Sequence, residues 1–325
     1  MPNSVTPVQG PAKPDSDETR PSGYSHRTMH NGDRPRIGDF HDRVAAAVPC
    51  VPDDDETRAA LRGRRLADVL GVFLNHHGRF VPARPRNVDY AADFWTSQAV
   101  RVEADIAALE GRIKRGEDLG PYMSPNIGRN GFVASNGRQR WEPARDLALN
   151  AFGVHHLHLT PGKGSDALAF IAFSRIAAVF VMLGPHKSFD DGSLADAVAR
   201  YQAQTGREIK SAWPSGTTPS PRDQMKLARH CVSSFGNADG KLTMGASVMS
   251  NGDGLRMRRY ADFIARQVAA IDPMLDDPVQ VDALMPAARG TWGPEVDFEW
   301  HMQDTDLVLY ERNSRTLCPV LNGFC

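Results

Sequence analysis

Short apolar runs broken by polar turns dominate the stretch from Gly153 to Tyr201. Val154-His155-His156-Leu157-His158-Leu159 predicts a strand, ended by Thr160-Pro161-Gly162. Ala167 to Ser174 predicts a second strand. Ile176 to Leu183, which holds the longest apolar run, predicts a third. Short connections between three successive strands favour an antiparallel meander. Gly192-Ser193 then opens a helix with Ser193 as the expected N-cap and Leu194, Val198 and Tyr201 on one face.

Elsewhere the period lengthens to that of a helix. Leu66, Val69, Leu70, Phe73 and Leu74 mark the stripe of one helix, expected to follow Asp53-Asp54-Asp55-Glu56 and to run to about His77. Val102, Ile106, Leu109 and Ile113 mark a second, starting near Thr96 and closed by Gly116. Pro143 to Asn150 reads as a short helix leading into the histidine strand, and Asp223 to Ser233 as another. Lys241 to Ser250 reads as a strand. Met257, Tyr260, Ile264, Val268 and Ile271 predict a long helix. Arg256, Arg258 and Arg259 crowd its start, where the helix dipole disfavours them unless an anion is close. Near the end, Val296, Phe298 and Trp300 alternate with Asp297, Glu299 and His301, and Leu307–Tyr310 and Arg315–Val320 follow as strands. The fold class expected is α+β: a helical N-terminal part, an antiparallel sheet with a histidine-rich strand, and a further α+β C-terminal part.

Composition changes this picture at the N-terminus. Residues 1–36 are rich in Pro, Ser, Asp, Gly and Arg and cannot bury enough surface to order themselves. They are expected to be a disordered tail, or an arm that meets a protein partner. The organisation expected is thus a tail over 1–36, helices and sheet over 37–205, and an α+β region over 206–325, set off by the polar stretch Thr205–Pro221. The formal charge of -1 argues against a uniformly basic nucleic-acid binder but leaves room for a local basic patch. Arg129, Arg138, Arg140 and Lys163 are the candidates for it. Cys50, Cys231, Cys318 and Cys325 lack metal-site spacing and predict free thiols in a reducing compartment. No apolar run reaches the ~18 residues a span needs, and no apolar signal core opens the chain, so a cytoplasmic protein off the membrane is expected.

The candidate chemistry sits in the meander, which carries four of the eleven histidines. Side chains alternate along a strand, so His156 and His158 share a face and His155 takes the other. His186 follows the end of the third strand. These are the titratable groups most prone to converge, at one rim of the sheet.

Two resemblances attach to these residues. GVHHLHL, RPRNVDY and RGEDLGPYMS together resemble a group of uncharacterised bacterial proteins associated with mobile or defence-type gene neighbourhoods, which implies no activity. The order of three strands, a basic loop and a helix resembles the core of RelE/HigB-type toxins, metal-independent mRNA endoribonucleases. Leu183-Gly184-Pro185-His186-Lys187-Ser188-Phe189 is similar to that family's LHxFxKK-type segment, with Asp190-Asp191 where a second Lys is absent. The resemblance implies His186 and Lys187 in the family's His and Lys cluster and RNA as partner. Arg175 falls in a tight turn, displaced from the family's strand arginine.

Three readings stay open. In the first, His158 and His186 act as base and acid on RNA with His156 beside them, while Lys163, Lys187, Arg175, Arg138 and Arg140 supply positive charge and no cofactor is needed. In the second, His156, His158 and His186 form a three-imidazole zinc site for a hydrolase. In the third, the histidines are structural and the chain is a non-catalytic binding or sensing module.

Overall fold

The acidic start after Asp53 and the apolar stripe beyond it build two helices where the sequence predicts one. The computed structural model describes residues 34–125, 127–129, 131–134, 146–162, 166–210, 217–285 and 296–324. Helix α1 spans Pro35–Ala46, α2 Asp55–Arg62 and α3 Leu66–His77. Asp54 caps α2 by accepting from the Thr57 N–H at 2.8 Å. The break falls at Gly63-Arg64-Arg65, where Arg65 turns to extended backbone so that both Leu61 and Leu66 can be buried. Of the tail expected over 1–36, residues 34–36 are placed in the structure, and Pro35 and Arg36 open α1. Arg34 and Arg36 are tied to Asp272, and Pro35 supplies the fixed φ that suits a first helical position. Residues 1–33 lie outside the described residues.

Strand β1 (Asn87–Tyr90) follows, then α4 (Ser97–Arg101) and α5 (Glu103–Arg115), closed by Gly116 in left-handed backbone. The meander is β2 (His155–His158), β3 (Leu168–Phe173) and β4 (Ala177–Gly184), antiparallel throughout as the sequence predicts. His158 sits opposite Leu168, and Leu168 opposite Gly184. Strand β1, which the sequence reading missed, lies parallel to β4 and completes the order β1-β4-β3-β2. Next come α6 (Ser188–Asp191), α7 (Ser193–Gln204), α8 (Pro221–Arg229) and a hairpin of β5 (Phe235–Ala238) and β6 (Lys241–Met244). Ser193 is the first residue of α7 rather than its cap. Gly192 holds the cap at φ 92°, where a Cβ would lie 2.4 Å from the Arg222 nitrogen. The chain ends with α9 (Leu255–Ile271), α10 (Pro278–Leu284) and the sheet β7 (Phe298–Gln303), β8 (Asp306–Glu311), β9 (Thr316–Leu321). The fold is mixed α+β.

Helices cover both faces of the four-stranded sheet. Ile106, Leu109 and Ile113 of α5 pack with Leu157, Ala169, Ile171 and Phe180. On the other face Leu194, Val198 and Tyr201 of α7 and Met225 of α8 pack with Leu168, Phe170 and Val181. A third core, around the fully buried Trp300, joins α1, α2 and α3 to α9, α10 and β7–β9. That core draws on both sides of residue 205, so packing gathers the two ends of the chain and leaves most of residues 81–250 as a central layer, from which Phe132 and Leu149 reach into it. Among the described residues no helix is long and apolar enough to cross a membrane, and Cys50, Cys231 and Cys318 form no disulfide.

Candidate functional site

Strand alternation sends His155 and Leu157 toward α5 and His156 and His158 toward α6 and α7. His158 is buried at 7% exposure, while His186 is exposed. Their ring centroids are 5.6 Å apart, with an interplanar angle of 44°. His186 reaches this place because β4 ends in a tight turn. Ser188 N–H donates to the Pro185 carbonyl at 2.9 Å and Phe189 N–H to that of His186 at 3.1 Å. Gly184 makes the turn possible, since a Cβ there would stand 2.5 Å from Ser188 Oγ. Lys187 is exposed on the same turn, beside Asp191.

His156 lies one step back on the same face. Its ring meets Phe189 edge-on at 5.4 Å, and Phe189 in turn packs on Phe170. Its Nδ1 is 3.7 Å from Asp146 Oδ1, an ion-pair contact longer than a hydrogen bond. Asp146 also accepts from the Leu149 N–H at 3.0 Å, in the π-helical turn Ala148–Phe152 that leads into β2. Burial pushes the Asp146 carboxyl up, but His156, the Leu149 N–H and His155 outweigh it and hold the carboxyl at about 2. For His156, burial favours the neutral ring, and the Asp146 charge overcomes this and raises its pKa. The sequence reading missed Asp146. The signal was there, an acid three residues before Leu149 at the start of a predicted helical segment.

His155 has a different role. It is 3% exposed and its Nε2–H donates to the Gly78 carbonyl at 2.9 Å, while burial lowers its pKa to about 4. It is a neutral interior imidazole.

The other predicted residues are not gathered here. Arg175 lies in the β3–β4 turn, at the far end of β4 from His186, and its Nη1 donates to Asp306 Oδ2 at 2.5 Å. An eight-residue strand separates the two, roughly 25 Å at 3.3 Å per residue. Lys163, Arg138 and Arg140 lie outside the described residues. Among the described residues no group of three or more His, Cys, Asp or Glu is placed to hold a metal ion. His158 and His186 form a close pair with His156 behind them, an arrangement suited to moving protons between two imidazoles and a molecule at the rim. No family model, no curated protein and no solved structure matches the chain.

Proposed function

We propose that this chain cleaves single-stranded RNA without a metal ion, with His158 as base and His186 as acid. The observation that carries the reading is the His158–His186 pair, one ring buried and one exposed, 5.6 Å apart at the end of the meander. Two imidazoles at that spacing can serve the two oxygens of one phosphodiester. His158 takes the proton of the 2′-OH. The 2′-oxygen attacks phosphorus, the bond to the 5′-oxygen breaks, and that oxygen takes a proton from His186. The products are a 2′,3′-cyclic phosphate and a free 5′-OH. Imidazole suits both steps because its ordinary pKa lies near neutrality. Lys187 on the same turn and His156, held toward its charged form by Asp146, supply positive charge to the phosphorane.

The test is incubation of the full chain with single-stranded RNA in EDTA. Cleavage with 2′,3′-cyclic or 3′-phosphate ends is expected, and RNA carrying 2′-methoxy at the cut nucleotide should resist. His186→Ala should slow the reaction by about 10²- to 10⁴-fold with the fold intact. Cleavage that depends on a divalent metal would transfer the case to the zinc reading of His156, His158 and His186. Intact RNA throughout would leave a binding module.

A further inference from the structure

Among the described residues, the side-chain partner of the exposed His186 ring is His158. The spacing of the two rings is therefore set by the backbone that carries His186, the turn from Pro185 through α6. That turn holds itself by short-range bonds. The Asp190 and Asp191 N–H groups both donate to the Lys187 carbonyl, at 2.8 and 3.0 Å. A helix of four residues is too short to be stable alone, and its last carbonyls have no donor within it.

Arg229, the last residue of α8, supplies a donor from outside. Its Nη2 donates to the Phe189 carbonyl at 2.8 Å and to the Asp190 carboxylate. The helix that carries Arg229 is itself fixed, because Met225 and Ala228 are buried in the core with Phe170 and Val181. The start of α8 passes against Gly192 and its end grips Phe189 and Asp190, so α6 is braced at both points. Phe189 is also the residue whose ring meets His156 edge-on. One guanidinium thus fixes the backbone behind His186 and the ring beside His156. The Arg229–Asp190 pair is half-exposed on both sides, and such pairs add little to global stability. Geometry at a reacting centre is far more sensitive, since a misplacement of about 1 Å costs roughly 10²-fold in rate.

We propose that Arg229 is a positioning residue for the histidine rim: it clamps α6 to α8 so that His186 stands against His158. The inference rests on the reading of that pair as acid and base. Arg229 acts through the turn and not on the reacting atoms.

The experiment uses the full chain and two readouts. The first is the nuclear Overhauser contact between the ring protons of His158 and His186, which needs no RNA. It should be present in the wild-type protein and lose most of its intensity in Arg229→Ala. It should return in Arg229→Lys, because both bonds come from one nitrogen and an ammonium has donors for both. The second readout is cleavage of single-stranded RNA in EDTA. Arg229→Ala should lower kcat by about 10- to 100-fold with KM near its wild-type value, and Arg229→Lys should recover most of the loss. The melting temperature should barely move in either variant. A ring contact that is absent from the wild-type protein, or that persists undiminished in Arg229→Ala, overturns the proposal. So does a kcat in Arg229→Ala equal to that of an active wild-type protein. If the wild-type protein cuts no RNA but the contact responds as stated, the acid–base reading fails and the placing of His186 by Arg229 stands. Should Arg229→Ala not fold, Asp190→Ala, at an exposed position of α6, takes its place. It removes one of the two bonds, and an unchanged ring contact there is equally fatal.

Discussion

His155 is held neutral by burial, whereas its neighbour His156 gains a carboxylate. The two therefore respond to pH in opposite ways. The folded pKa of His155, about 4, lies below the ordinary 6.5, so the unfolded chain takes up its proton first. Its contribution is full above pH 6.5 and falls by roughly 3 kcal/mol as the pH drops toward 4. His155→Leu should destabilise the protein at pH 7, because the Gly78 carbonyl loses its donor, and should flatten the decline of the urea midpoint between pH 6.5 and 4. An unchanged slope in the variant would count against this account. For His156 the folded pKa is raised, so its stabilisation is present below 6.5 and is lost as the pH rises through the folded value. Asp146 is depressed, and its share is present above 3.8 and lost as the pH falls toward 2. Asp146→Asn should therefore lower the NMR-detected pKa of His156, because only burial then acts on the ring. No movement would show that Asp146 does not govern it. The common face of His156 and His158 was legible because strand alternation depends only on sequence position. The separate fates of His155 and His156 were not, because they are set by Gly78 and Asp146, which reach β2 through tertiary packing.

The elements were read best where the apolar period was long. The stripe of α9 appears as predicted, and Arg258 at its start has the anion that the dipole argument requires. Asp68 of α3 accepts from Arg258 Nη1 at 2.7 Å, and Asp262 one turn on lies 3.1 Å from Nη2. Asp68→Ala should cost about 1–2 kcal/mol in chemical denaturation, and more than Asp262→Ala, because Asp68 alone joins two helices and is the less exposed partner. Equal effects would place the stabilisation within α9. Short elements were read worst. β1 and β5 have four residues each, too few for alternation to stand out, and pairing with β4 and β6 is what makes them strands. The split between α2 and α3 has a local signal in Gly63, which weakens a helix, and Leu61 and Leu66 are buried on either side of it.

Across the whole molecule, the start of α1 is fastened to the far end of the chain. Arg36 Nε donates to Asp272 Oδ1 at 3.1 Å, and the same oxygen accepts from Trp300 Nε1 at 3.0 Å. Trp300→Ala should cost about 3–5 kcal/mol by emptying the core shared by α1, α3, α9 and β7. A chain ended at residue 250 should leave α1 and α3 with bare apolar faces, so rapid proteolysis of residues 34–80 is expected. Persistent protection of that segment would mean that it folds without its partner. The chain leaves this outer body just after α3, touches it again at Phe132 and Leu149, and rejoins it at α9 beside the point of departure. A Cβ on Gly78 would stand 3.0 Å from Met257 Cε, and Arg258 lies against Gly71. The central layer with its histidine rim is thus inserted between adjacent points of another structure, as a cassette. During synthesis that cassette can complete its fold while the first helices still wait for the last seventy or so residues to arrive.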